Sequence, residues 1–195
     1  VDSITSTNST TTGNGAIKLI STNGAIAESV DAGVDISAVN GLLVLNSATG
    51  IGATSAIETT VDYINAVNST SGSINIIETD AIEVDQLTQL SGGNLRLTAN
   101  SITTSTGDVI NSGSGNIILM ADTMALGSAS NSIEGTGSLS IYPRTSGQTM
   151  GIGGASGAPA TGDLNLINTE LNTLKDGFSS ITFGSSTTGA MGLSV

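Results

Sequence analysis

The chain has 195 residues and is 37% hydrophobic, yet it carries two Tyr, two Phe and no Trp, Cys or His. That composition excludes an aromatic core, disulfide staples and zinc sites built on thiolate or imidazole ligands. Four basic residues against sixteen acidic ones leave a net charge of −12, which opposes nucleic acid and anionic lipid, since both are bound through Lys and Arg.

Mean hydropathy is positive at +0.24, so the Gly, Ser, Thr and Asn content does not signify disorder and the chain is expected to fold. No apolar run approaches the ~18 residues of a membrane helix, and no charged-then-apolar leader opens the sequence. Beginning at Val1, it is expected to be an internal or processed stretch of something longer.

From the N-terminus onward one short pattern recurs, a glycine followed by two apolar residues spaced two apart. It reads Gly15-Ala-Ile17-Lys-Leu19, Gly41-Leu-Leu43-Val-Leu45, Gly72-Ser-Ile74-Asn-Ile76 and Gly93-Asn-Leu95-Arg-Leu97. It continues as Gly115-Asn-Ile117-Ile-Leu119, Gly137-Ser-Leu139-Ser-Ile141 and Gly162-Asp-Leu164-Asn-Leu166, with a degenerate copy at Ser179-Ser-Ile181-Thr-Phe183. The step is nearly constant from Gly72 through Gly93 and Gly115 to Gly137, longer on either side, longest between Gly41 and Gly72, and shortest at the degenerate copy.

An i, i+2 spacing places both apolar residues on one face of a strand, with the residue between pointing away. Second apolar pulses follow each unit, at Ile26 and Val30, Ile51 and Ile57, Ile82 and Val84, Ile102 and Val109–Ile110, then Met124, Leu126 and Ile133.

Repeats of ~22 residues with two or three short strands each predict an all-β fold, a right-handed parallel β-helix (β-solenoid). Its expected dimensions are about eight or nine coils and a rod on the order of 40 Å. The tetrad residues from Ile17 to Ile141 are expected to line one interior. Lys18, Val44, Asn75, Arg96, Ile118, Ser140, Asn165 and Thr182 would form the outward column. The long steps after Gly41 and Gly137 are expected to bulge from turns. A β-sandwich also offers short strands and Gly-rich turns, but does not require one tetrad at near-constant spacing.

Residues 1–141 therefore read as solenoid coils, and 142–195 as continuing coils with a Gly-rich loop and a short helical insertion. The loop contains Pro159; about two helical turns are expected around Leu171 and Leu174, with Asn168 or Thr169 as N-cap and Gly177 at C′.

The residues that could carry chemistry are few. Lys18, Arg96, Arg144 and Lys175 sit in separate units, and without His or Cys no nucleophile–base triad is available. No catalytic residue, and no cofactor, is expected. The densest acidic stretch supplies Glu78, Asp80, Glu83 and Asp85, a weak oxygen-ligand set for calcium that reads better as a solvated face protecting the sheet from pairing.

Gly151-Ile-Gly153-Gly154 lacks the aspartate of a calcium-binding nonapeptide and the Lys-Ser/Thr of a phosphate loop. Thr5–Thr12 and Thr103–Thr106 do not recur at coil spacing as an ice-binding array would. Asn8-Ser-Thr10 and Asn68-Ser-Thr70 match the glycosylation pattern but read as turn residues.

The run Ile152-Gly-Gly154, Leu164-x-Leu166, Glu170-Leu171-x-x-Leu174-x-x-Gly177-Phe178, Ile181-Thr-Phe183-Gly184 and Thr188-Gly189 resembles repeats of large filamentous-haemagglutinin-like adhesins. The preceding units resemble the β-helical shaft of the same family, although its Asn-Pro-Asn-Gly-type secretion motif is absent. The resemblance implies a bacterial extracellular or cell-surface protein acting as structural shaft or adhesive surface.

Partners would be the continuing chain or other copies end to end, and a host or matrix surface, with no nucleic acid and no membrane insertion. The alternative is a carbohydrate-binding or carbohydrate-cleaving β-helix, for which Tyr63 and Tyr142 are the candidate stacking aromatics.

Overall fold

Short runs of Ile, Leu and Val alternating with polar residues and interrupted by Gly, Asn and Ser form strands and tight turns throughout a computed structural model. It describes residues 1–30, 33–127, 129–155, 158–159, 162–184 and 193–194.

The strands begin with β1 (Ile4–Thr5), β2 (Ile17–Ser21), β3 (Ile36–Ser47), β4 (Ile57–Asn68), β5 (Ile74–Glu78) and β6 (Ala81–Gln89). Next are β7 (Leu95–Thr98), β8 (Ser101–Thr103), β9 (Val109–Asn111), β10 (Ile117–Met120), β11 (Thr123–Ala125), β12 (Ile133–Glu134) and β13 (Ser138–Tyr142). The C-terminal part holds β14 (Met150–Ile152), β15 (Gly154–Ala155), β16 (Ala158–Pro159), β17 (Leu164–Leu166), helix α1 (Asn168–Leu171), β18 (Ser180–Phe183) and β19 (Leu193–Ser194).

Nearly all pairing is parallel, and the chain winds as a β-solenoid of about six turns. One ladder stacks Ile17, Leu43, Ile64 and Val84, then Leu87, Ile110, Ile133 and Leu174. A second stacks Ile26, Ile51, Ile74, Leu95, Ile117, Leu139 and Ile181. The third side carries two runs, Ile4–Ile36–Thr59 and Ile82–Ile102–Met124. Their inward residues fuse into one core in which Leu43, Ile64, Leu87, Leu97, Ile117 and Ile141 are fully buried.

The tetrads do line one interior, with Leu19 only partly covered at the N-terminal coil. They do not form one column, however. Ile17 and Leu43 belong to the first ladder, whereas Ile74, Leu95, Ile117 and Leu139 belong to the second.

The long step from Gly41 to Gly72 hides a change of side rather than an insertion: Leu43 stacks on Ile64, and Ile74 follows after the chain has turned onto the second ladder. Ile64-Asn-Ala66 carries no tetrad signature, since it has no leading glycine and Ala replaces the second large residue. The outward column divides accordingly. Lys18 and Val44 lie in one ladder, Asn75, Arg96, Ile118, Ser140 and Thr182 in the other, and Asn165 opposite Gly151. Val44, expected outside, is buried.

The count of eight or nine coils falls to about six for a second reason. Leu164 and Leu166 pair with Met150 and Ile152, while Leu139 pairs with Ile181, beyond that whole segment. The extra chain forms β14 and β17, with Met150, Leu164 and Leu166 buried, and β17 packs beside β11 although it follows β14 in sequence. At one ~4.8 Å step per coil, six turns span roughly 30 Å.

Helix α1 is a single turn, shorter than the two turns expected. Its N-cap is Ile167, whose N–H donates to the Glu170 carboxylate at 2.8 Å, so neither Asn168 nor Thr169 caps it. It ends early because Leu174 is drawn into the ladder beside Ile133. Thr188 and Gly189, the last residues of the adhesin-like run, lie outside the described residues.

A buried polar column lines the corner after the first ladder. Ser47, Asn68 and Gln89 stack in register, all of them buried, with Ser112 one coil on. Asn68 accepts from Gly50 N–H and donates to Ser71 O and Gln89 Oε1; Gln89 donates to Gly72 O. Each side chain thus supplies the hydrogen bonds that the tight turn denies its own backbone. Asn68 is therefore not an exposed turn residue, whereas Asn8 is one, accepting from Thr10 N–H and Oγ1.

Candidate functional site

The structure separates the four acidic residues singled out in the sequence. Glu78 ends β5 with its side chain turned inward and fully buried, facing Thr59 of the adjacent coil. Its Oε2 accepts from Thr59 Oγ1 at 2.7 Å and Val61 N–H at 3.0 Å, and its Oε1 from Thr79 N–H at 2.8 Å.

Burial outweighs these donors, which favour the anion, and with a hydrogen bond to Asp80 it raises the Glu78 pKa from 4.5 to about 7. Glu78 is thereby a structural carboxyl closing a corner. Asp80 is exposed, and Glu83 and Asp85 project outward from β6, so the four do not form the calcium set that their proximity in sequence suggested.

The raised Glu78 pKa has a measurable consequence. The folded state keeps a proton that the unfolded chain releases near pH 4.5. Its stabilisation is complete below that pH and is lost as pH rises through about 7. Urea titrations should show stability falling by on the order of 3 kcal/mol between about pH 5 and pH 8, and Glu78→Gln should flatten that slope. A wild-type profile that is flat or rises over the interval refutes a neutral Glu78.

The outward acidic residues gather on one face. Asp85 has its pKa raised by partial burial and then by the charges of Asp108 and Glu83; Asp108 is raised by burial and Glu83, against a lowering bond from Ser105 N–H. Ser105 Oγ donates to Glu83.

Tyr63 stands opposite Glu83 in the ladder, and a shallow depression runs between Asp62, Tyr63, Glu83 and Thr103. The other tyrosine, Tyr142, pairs with Met120 in the second ladder, so the two rings do not build one platform. Both are half-buried.

The cationic side chains are occupied elsewhere. Lys18 donates to Asn14, Arg96 to Met120 Sδ, Arg144 to Asn100 and Lys175 to Glu134, which also accepts from Asn111. The face around Tyr63 can repel anionic surfaces and neighbouring strands and can attract cations.

A further carboxylate group was not legible in sequence. Glu28, Asp35 and Glu58 converge, although they belong to separate segments of the chain. The signal that could have found it is the coil period, which sets Asp35 beside Glu58 once Ile36 is paired with Thr59.

Among the described residues no helix is long and apolar enough to cross a membrane. Comparison with known proteins finds no matching family model, curated protein or solved structure.

Proposed function

We propose that the chain is a structural or adhesive shaft segment of an extracellular or cell-surface filamentous protein of bacterial type, without catalytic activity. The observation that carries this reading is the uninterrupted apolar core running through parallel ladders whose terminal strands are open. Among the described residues β2 pairs only with β3 and β18 only with β13. Ile181 is 44% exposed although it stacks on the fully buried Leu139.

Unpaired backbone edges next to a half-covered core favour continuation of the ladder by another coil or another copy. The resemblance of the C-terminal run to filamentous-haemagglutinin-like repeats supports the same reading.

Sedimentation and electron microscopy at rising protein concentration test it. The expected result is rods that lengthen by end-to-end contact, with width unchanged. A chain that stays monomeric at every concentration removes the stacking hypothesis. Glycan binding that is lost in Tyr63→Ala would instead favour the carbohydrate-binding alternative, which the depression beside Tyr63 supports.

A further inference from the structure

The convergence of Glu28, Asp35 and Glu58 differs from the surface acidic face in being built around a fully buried carboxylate, with Glu28 and Glu58 partly buried beside it. One carboxylate oxygen from each lies within 4.8 Å of the others. Asp35 is 1% exposed; its Oδ2 accepts from Glu58 N–H at 3.1 Å, while its Oδ1 is buried with no hydrogen-bond partner among the described residues. Both carboxylate oxygens of Glu28 are likewise buried and without a hydrogen-bond partner among the described residues. A carboxylate removed from water requires donors or a cation.

The surroundings hold these groups in place. Asp35 N–H donates to Glu58 O at 2.9 Å, and Ile4 N–H donates to Asp35 O at 2.7 Å, which ties the aspartate to coils on both sides. Next to Glu28, Ser29 donates its N–H and hydroxyl to the Asp2 carboxylate at 3.1 and 2.7 Å. All four Lys and Arg side chains donate elsewhere, so none of them neutralises Glu28 or Asp35.

We propose that Glu28, Asp35 and Glu58 bind one calcium ion that pins the N-terminal coil to the next. The donor set is oxygen only, which selects a hard divalent cation. The three oxygens lie within 4.8 Å of one another, close enough for one ion at the ~2.3–2.6 Å of calcium to reach all of them, and calcium accepts an irregular set of carboxylates where magnesium demands near-octahedral geometry. The ion joins Glu28 to Asp35, immediately before β3, and to Glu58 on β4, so its effect is on the cohesion of that end of the solenoid.

The experiment is calorimetric titration of calcium chloride into chelator-dialysed protein, paired with thermal unfolding in calcium chloride, magnesium chloride or chelator. One calcium site is expected, with unfolding raised by about 5 °C at a concentration about 100-fold above Kd and a smaller effect of magnesium.

Glu28→Gln should weaken binding roughly 10-fold or more, and Asp35→Asn should abolish the thermal shift. Should Asp35→Asn fail to fold, the less buried Glu28→Gln decides alone. Absence of both heat and thermal shift overturns the proposal, as does a calcium effect that Glu28→Gln leaves unchanged, which would place the ion on the surface around Glu83, Asp85 and Asp108.

Discussion

Leu97→Asp is expected to cost about 5 kcal/mol or more and to leave the chain unfolded or molten, whereas Arg96→Asp is expected to stay within about 1 kcal/mol of wild type. The two residues are neighbours on β7, so the contrast isolates the direction of the side chain. Leu97 is fully buried between Ile76 and Leu119 of the adjoining coils. Aspartate there loses the apolar contacts and strands a carboxylate among aliphatic side chains with no donor prepared for it.

Arg96 is exposed, and its guanidinium donates to Met120 Sδ at 3.3 Å. Denaturant titration of both variants measures the difference. Equal losses would mean that the register assigning Leu97 inward and Arg96 outward is wrong.

Gly115→Ala is expected to cost about 3 kcal/mol or more, a large effect for one methyl group. A Cβ at Gly115 would lie 2.6 Å from the Gly93 carbonyl carbon and closer still to its oxygen. The obstacle is backbone of the adjacent coil, which cannot rotate away as a side chain can. Relief would require the coils to part, breaking ladder hydrogen bonds on both sides.

The same contact recurs from Gly93 to Gly72 and from Gly137 to Gly115. At Gly93, Gly115 and Gly137 this explains why the tetrad opens with glycine, since the need there is for close approach; Gly15 and Gly72 add a left-handed backbone, at φ +70° and +80°. Gly24→Ala is the control, since its Cβ would meet only Ser21 Oγ, at 3.2 Å. Comparable unfolding midpoints for Gly115→Ala and Gly24→Ala would contradict the close stacking of coils.

Much of this architecture was legible in the residues. The i, i+2 apolar pairs from Ile17 to Ile141 identified inward positions correctly, because alternation along a strand is a local property. The near-constant steps from Gly72 to Gly137 found successive coils of the second ladder in register, since no insertion intervenes there.

Stacking at the two ends was not legible. Neighbouring coils match by shape and hydrogen bonding, so Ile64-Asn-Ala66 serves as well as a glycine-led tetrad. The pairing of Leu164 with Met150 is a local excursion that sequence spacing read as another coil.

The candidate sites divide in the same way. Residues close in sequence, Glu78 to Asp85, were read as one acidic group, but alternation sends Glu78 into the core and Glu83 and Asp85 outward. Glu28, Asp35 and Glu58 are brought together only by winding.

By itself the sequence determined a repetitive aliphatic core, parallel strands of coil-like period and an anionic surface without His or Cys chemistry. These follow from composition and from alternation over a few residues. Only the tertiary structure decided which coil rests on which, where the tetrad changes side, how the polar corner column is satisfied and which carboxylates meet. The reason is physical: most of those contacts join residues a coil or more apart, and the length of every intervening turn shifts the register before the contact forms.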